Sequence, residues 1–445
     1  MSMSKETRGY ALAETHLTTF DRQFAATVRL QQPDRYRLLG ALPEHQPYVP
    51  RGSGASYVAA SFGNGATSQD MGQFNRLLAF DGERGLLHVE AGARIADVER
   101  FLISQGWYLP VAPGHPAASI GGCIAADVHG KNPARDGRFS NWVDAIELWL
   151  PGHGALIVSP DENCERFDAT FAGFGLTGTI VSAVLRLVRA PDAFVVRRMP
   201  VADLAEAAQV LREAANVPLL YGWHDARPGH FGRGVIRVGL ESDEKVKRRR
   251  SLPDLPVTIK PVSIPRWNRM GIAFANRWLG YRWCRPGESR IALLDAMFPL
   301  NGAVNYFAGF GKAGMVEAQW LVPNTRFTPF AAALTDLVNK TRPRISLVAS
   351  KLFDGHAPCL AFDGRGIALA IHVPSPAQAS QRAFLDALAE CAIEHGGRPN
   401  LIKDSTLQAD IVRRAIPDFE ALREHLRSFD VEGRVQSELT RRIGL

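Results

Sequence analysis

The sequence predicts an α+β protein, and three observations predict it. Aliphatic and β-branched runs of strand length occur along the whole chain without regular alternation with helices. Two Ala-rich helical stretches, "ADLAEAAQVLREAAN" (202–216) and "AQASQRAFLDALAECAIEHGG" (377–397), are far apart, with strand-like runs between them. The Gly-x-Gly-x-x-Gly match, "GFGLTG" (173–178), leads into the strand-like "TIVSAVLRLV". A Rossmann turn needs a helix there, so a dinucleotide site of that type is excluded.

The elements follow in order. Residues 10–50 read as irregular and Pro-containing. "YVPRGSGASYVAASFGNGATSQD" (48–70) is a Gly/Ser/Ala-rich turn region. "GLLHVEAGA" (85–93) is a strand, and "RIADVERFLISQGW" (94–107) spaces Ile95, Val98, Phe101 and Leu102 as a helix does. "WVDAIELWLPGHGALIVSP" (142–160) is two strands about a Pro-Gly-His-Gly turn, and "GTIVSAVLRLVRA" (178–190) is a further strand. Residues 1–190 thus form one α+β unit. A second, 191–400, carries the strands 234–240, 316–323, 345–353 and 366–374 between its two helices. The last 45 residues are polar and helical.

Composition narrows the class. The chain has 445 residues, 46% hydrophobic and 22% charged, as in a globular protein. No run approaches the roughly 18 apolar residues that cross a bilayer, and the first 20 residues lack a secretory apolar core. The expected location is cytoplasmic, with a peripheral position at the inner membrane as the other reading. Five cysteines without a Cys-x-x-Cys argue against a disulfide framework or a zinc site. A net charge of +7 is diffuse, and no nucleic-acid partner is expected. The denser stretch is 245–286, where "KVKRRR" precedes a segment alternating Arg with Trp267, Trp278 and Trp283. It reads either as a solvated loop and an amphipathic core helix, or as a segment resting on lipid headgroups.

The chain lacks a Gly-x-Ser-x-Gly elbow and a P-loop, and His129 has no second His at metal spacing, so no metal is expected. "SIGGCIAADVHGKN" (119–132) reads as a small-residue strand–loop that lets a backbone approach something closely.

The stretches "PRGSGAS" (50–56), "VEAGARIADVERFLISQGWYLPVAPGHPAASIGGCIAADVHGKN" (89–132) and "FAGFGLTGTIVSAVLRL" (171–187) give that approach a meaning. In order and spacing they resemble the PCMH-type (vanillyl-alcohol-oxidase-type) FAD-binding flavoproteins. The resemblance implies a two-subdomain PCMH-type FAD-binding domain plus an α+β substrate domain with an antiparallel sheet. It implies that Arg51, Gly52, Ser53, Gly54, Ala55, Ser56 and Tyr57 form the pyrophosphate turn. Gly114, Ser119, Gly121, Gly122, Cys123, Ala126, His129, Gly130 and Asn132 would face the flavin, and Gly175, Gly178 and Ile180 would complete the FAD contacts. Further matches, "DVHGKN" (127–132), "GMVEAQWLVP" (314–323), "KLF" (351–353), "GGRPNLIKDS" (396–405) and "TRRIGL", resemble the decaprenylphosphoryl-ribose 2′-oxidase family, whose work belongs to cell-envelope polysaccharide precursors. By that likeness 401–445 returns to the FAD domain, Lys403, His129 and Lys131 are the catalytic candidates, and Tyr57, Lys131, Trp223, Glu317, Gln319 and Lys351 bind substrate.

Several positions depart from the family pattern. Glu317 stands where the family has Gln, Ala308 where it has Arg, and Ala370 and Ala368 where it has Cys and Asn. Ala55 takes the place of a flavin-linking His, so FAD is expected to be non-covalent. The expected reaction oxidises a secondary hydroxyl, the ribose 2′-OH of a polyprenyl-phosphoryl ribose, with Lys403 as base or as stabiliser of flavin charge. The likeness also implies a partner short-chain reductase that completes an epimerisation. The alternatives are oxidation of a free sugar, polyol or aldonolactone, and a scaffold without chemistry.

Overall fold

A computed structural model describes residues 12–42, 45–244, 246, 257, 259–299, 304–356 and 358–445. Among the described residues the longer strands form sheets of four, five and eight strands. The α+β class holds, with antiparallel pairing throughout the five- and eight-stranded sheets.

The four-stranded sheet corrects the expectation of irregular structure before residue 50. Ala13–Thr18 and Ala25–Gln31 pair as a hairpin, and Tyr48–Arg51 joins through Thr67–Asp70. The five-stranded sheet contains the expected strands Leu86–Glu90, Val143–Leu150, Gly154–Val158 and Thr179–Arg186. Helix Ile95–Ser104 covers it, burying Ile95, Val98 and Leu102 as the spacing demands.

The eight-stranded sheet is drawn from residues 193–399. Its middle runs Gly234–Ser242, Leu219–His224, Leu347–Asp354, Arg365–Pro374, Met315–Pro323. One face packs on helices Leu204–Glu213, Asn324–Thr341 and Ala379–Glu394 through Phe327, Phe330, Leu334 and Phe384, all buried. The other face is turned toward the first 190 residues, and the site lies there.

Residues 401–445 fold back across the molecule. Tyr48 N donates to the Arg434 carbonyl, Gln436 N to the Tyr48 carbonyl and Glu438 N to the Phe62 carbonyl. Val435, Leu439, Ile443 and Leu445 are each no more than 3% exposed. At roughly 1.5–3 kcal/mol per buried aliphatic, they hold this segment more firmly than its few backbone bonds do.

The helix Arg269–Trp283 departs from a core helix. Met270, Phe274, Trp278 and Tyr281 are 84, 74, 55 and 64% exposed. The basic run 245–250 lies outside the described residues except for Val246.

Candidate active site

A cavity of about 440 Å³ lies between the glycine-rich turns of the first 190 residues and the free face of the eight-stranded sheet. Its two walls are built differently.

The first wall is backbone and small side chains. The turn 51–57 follows strand Tyr48–Arg51 and faces helix Ile120–Ala125. Ser119 caps that helix through Gly122 N and also accepts from Ser53 N at 3.3 Å. A Cβ on Gly52 would run into the Ser119 hydroxyl, and Gly54 has φ +69° with its α-carbon against the Arg51 guanidinium. Arg51 Nη1 donates to Ser61 Oγ at 2.9 Å, which fixes a cation beside the turn. Among the described residues the N–H groups of Gly54, Ala55, Ser56 and Tyr57 meet no protein acceptor, and Ser56 Oγ is buried without a partner. Free amides beside an orphaned hydroxyl and a cation suit a pyrophosphate. These residues therefore fit FAD.

Nearly all of the expected cofactor residues line this cavity: 51–57, Gly114, Ser119, Gly121, Gly122, Cys123, Ala126, His129, Gly175, Gly178 and Ile180. Two do not. Asn132 is fully buried, and its Nδ2 donates to the carbonyls of Ala215 and Val217, so it ties the loop to the second unit. Gly130 packs on Pro110 and Val111, and its carbonyl accepts from Lys351. The reason for Gly121 also differs from the expected one. A Cβ there would meet Ala91 Cβ at 2.9 Å, so its smallness serves helix–strand packing. Residues 120–125 are helical where a strand–loop was expected.

Asp127 turns the chain so that His129 enters the cavity. It holds φ +43°, unusual for a non-glycine residue. Its carboxylate is pinned by Arg138, which also bonds Asp363 at 2.7 Å, and by Ser140 N at 3.0 Å. One His129 ring nitrogen then faces Gln319 Nε2 at 3.3 Å, and the other faces Lys351 Nζ at 3.2 Å. Burial and Lys351 hold His129 well below its ordinary value, so the ring is neutral.

The second wall is one face of the sheet. Alternation along five strands sends Glu317 and Gln319, Ala368, Ala370 and His372, Leu347, Ala349 and Lys351, Tyr221 and Trp223, and Arg237 into the cavity. Ala370 and Ala368, the departures from the family pattern, open space between Gln319 and Lys351. Residues 400–403 close one end. Asn400 Nδ2 donates to Gln319 Oε1 at 2.8 Å and so orients that amide.

Three lysines and one carboxylate meet at this end of the cavity, Lys351 and Glu317 from the sheet, Lys131 from the 127–132 loop and Lys403 from 400–403. Lys403 Nζ lies 3.5 Å from Glu317 Oε2 and 4.1 Å from the Tyr57 ring centroid. Burial alone would raise the Glu317 carboxyl, but Lys403, His372 and Tyr57 override it and hold it well below the carboxylate range. Desolvation and then Lys403 push Lys131 down to about 8. Burial, then Lys131 and Lys403, hold Lys351 well below the ordinary lysine range. Behind Glu317 a chain continues: His372 Nε2 at 3.1 Å, then Tyr306 Oη 2.8 Å from His372 Nδ1, then Ser346 Oγ at 3.0 Å. Such a chain can carry a proton between the cavity and the half-buried Tyr306.

His115, His372, Asn400, Tyr221 and Arg237 line or order this site and were not singled out from the sequence. A lone polar residue at alternate positions of an apolar strand, as in "YGWH" or "AIHV", is the signal that would find most of them.

Comparison with known proteins agrees with the fit. Residues 38–158 match the FAD binding domain family. The chain is 26% identical over 415 residues to a decaprenylphosphoryl-beta-D-ribose oxidase of Mycolicibacterium smegmatis, covering 89% of each chain. It is 28% identical over 373 residues to an uncharacterized protein in the mprA 5′ region of Streptomyces coelicolor, covering 77% of this chain and 98% of that one. A D-lactate dehydrogenase of Anaerostipes hadrus is 23% identical over 185 residues, 40% of this chain and 38% of that one. With the cradle, the lysine-rich end of the cavity and these relatives together, the chain carries an FAD binding domain of the PCMH type and is an FAD-dependent oxidoreductase.

Proposed function

We propose that the enzyme oxidises a secondary hydroxyl of a sugar that carries an anionic, lipid-bearing substituent, a polyprenyl-phosphoryl ribose oxidised at its 2′-OH. The observation that carries this reading is the lysine-rich end of the cavity. Three lysines face one carboxylate there, and the same cavity continues past Trp223, Trp283, Ile259, Pro299 and Val304 toward the exposed apolar helix. An uncharged sugar has no use for that excess of cations, and a small polar one has no use for the apolar exit. The relative from Mycolicibacterium carries the matching activity in its name.

On this reading residues 1–190 with 401–445 hold FAD, and 191–400 bind the substrate. Bound flavin supplies a two-electron acceptor for the hydride. Gln319, held by Asn400, and His129 orient the sugar. Lys131 and Lys351 lend the cavity a field that draws in an anionic substrate, and the two alanines leave room for the ring. Lys403 Nζ takes the hydroxyl proton, and Glu317 Oε2, 3.5 Å away and backed by His372, holds the ammonium that forms. Ala55 offers no nucleophile in the turn, which supports non-covalent FAD.

The deciding experiment is anaerobic flavin bleaching across polyprenyl-phosphoryl ribose, free ribose, alditols and aldonolactones. Bleaching is expected with the first. Bleaching by alditols or lactones alone would replace this reading with the free-sugar one.

The outward Met270, Phe274, Trp278 and Tyr281, interleaved with Arg269, Arg277, Arg282 and Arg285, support a resting position on an anionic lipid layer. Among the described residues no helix is long and apolar enough to cross a membrane. Co-sedimentation with anionic vesicles should weaken in high salt and in Phe274→Ser/Trp278→Ser. Unchanged sedimentation would leave the helix without a lipid role. A short-chain reductase that consumes the keto product completes the proposal.

A further inference from the structure

We infer that Arg237, Tyr221 and Trp223, backed by Arg198, form a second anion site in the cavity, built for the phosphodiester of the substrate. The inference deepens the phosphoryl-sugar reading and rests on it for the identity of the anion.

The site follows from strand register. Arg198 stands directly opposite Arg237, and Arg237 directly opposite Tyr221, so three neighbouring strands present guanidinium, guanidinium and phenol in one row on one face. Trp223 lies two residues beyond Tyr221 on that face. Arg237, Tyr221 and Trp223 all line the cavity.

The row is full of donors that lack acceptors. Arg198 Nε, Arg237 Nε and Trp223 Nε1 are buried without a hydrogen-bond partner, and Tyr221 Oη, beside the Arg237 guanidinium, has no acceptor for its proton. Trp223 is only 3% exposed. Among the described residues neither arginine has a carboxylate partner, although Arg198 Nη1 donates to the Arg282 carbonyl at 3.2 Å. Like charges directly opposite in a sheet repel each other. Buried donors without acceptors are costly. The cost at Arg237, Tyr221 and Trp223 disappears when one anion in the cavity accepts from all three, and its charge offsets the repulsion between Arg237 and Arg198.

The donor set selects the anion. One planar fork, one hydroxyl and one indole N–H offer donors in several directions, which suits the oxygens of a phosphate. The surroundings select its substituents. Lys351 stands on the neighbouring strand toward His129 and Lys403, on the sugar side. Trp283 meets Trp223 edge-to-face, with ring centroids 5.7 Å apart, on the apolar side. A group joined to a sugar at one end and to an apolar chain at the other is a phosphodiester.

The test is calorimetric titration of the FAD-loaded enzyme with farnesyl phosphate, farnesol and inorganic phosphate. Wild type is expected to prefer farnesyl phosphate over farnesol. Arg237→Gln should cut that preference by about tenfold or more, the scale of hydrogen bonds to a charged group, and Tyr221→Phe by less. Farnesol affinity should be unchanged in both. With phosphoryl ribose as substrate, Arg237→Gln should raise KM and spare kcat. If both variants keep the wild-type preference, the site is overturned. Should Arg237→Gln fail to fold, Arg237→Lys, which keeps the charge and loses the planar fork, carries the same test with a smaller loss. If inorganic phosphate binds as tightly as farnesyl phosphate, the anion site stands and its source is a soluble sugar phosphate. If phosphoryl ribose leaves the flavin oxidised while farnesyl phosphate binding still depends on Arg237, the functional reading falls and the site remains.

Discussion

The two walls of the cavity solve the problem of holding a ligand by opposite means. The wall at 51–57 and 114–126 uses backbone amides and small residues, and its charged groups are few. The sheet wall uses Lys351, Glu317, His372 and Arg237, each delivered by a different strand. A backbone cradle is made by consecutive residues, so it tolerates little change in sequence and reads one kind of group. A side-chain wall is assembled from positions up to 182 residues apart (Tyr221 to Lys403), so single substitutions can retune what it accepts. The walls should therefore fail differently when broken.

The largest effect is expected on the cradle. Gly54→Val places a β-branched residue at φ +69° with its Cβ on the Arg51 guanidinium. The variant should purify nearly colourless, read as the ratio of flavin to protein absorbance. A fully yellow variant would show that the turn is not the cofactor's seat. In wild type, acid precipitation should release all the colour; colour left in the pellet would point to a covalent link at His115 or Cys123, which also line the cavity.

The next effect belongs to the sheet wall and leaves colour intact. Lys403→Ala should slow flavin reduction by roughly 10²-fold or more, the usual scale for a positioned proton-transfer group. Stopped-flow reduction within a few-fold of wild type, with FAD bound, would remove Lys403 from the chemistry.

The smallest effect is a change of pH profile. Lys131, pushed down to about 8, is charged below that pH and neutral above it. Affinity for a phosphate-bearing substrate should fall by up to about tenfold as pH rises through 8, and Lys131→Met should flatten that limb. The same shift has a signature in stability. Between about 8 and 10.5 an unfolded Lys131 binds more protons than a folded one, so it makes stability rise with pH across that window, and Lys131→Met should make the rise shallower. Urea midpoints that stay flat for wild type from pH 8 to 10.5 would contradict it.

The same contrast explains what was legible in the sequence. The cradle could be read because "RGSGASY" is contiguous and its glycines mean close approach wherever they fold. Strands such as Thr179–Arg186 could be read because β-branched residues crowd them. The hairpin Ala13–Thr18 and Ala25–Gln31 could not, because its first strand buries no residue and shows no apolar face. Tyr221, Arg237 and His372 are single residues in apolar strands, and only register brings them together. Asn132 was misread because it sits beside site residues in sequence while its side chain reaches the 215–217 turn.

The return of residues 434–445 onto Tyr48 and Phe62 sets an order of events in time. The strand that launches the cofactor turn is synthesised early, yet its backbone partners arrive almost 390 residues later, and Lys403 arrives little sooner. Contacts of such long sequence separation close last. FAD uptake is therefore expected to wait for the docking of residues 434–445 onto Tyr48 and Phe62. Any truncation or bulky fusion that disturbs Val435, Leu439 or Ile443 would then show itself as apoprotein rather than as a slow enzyme.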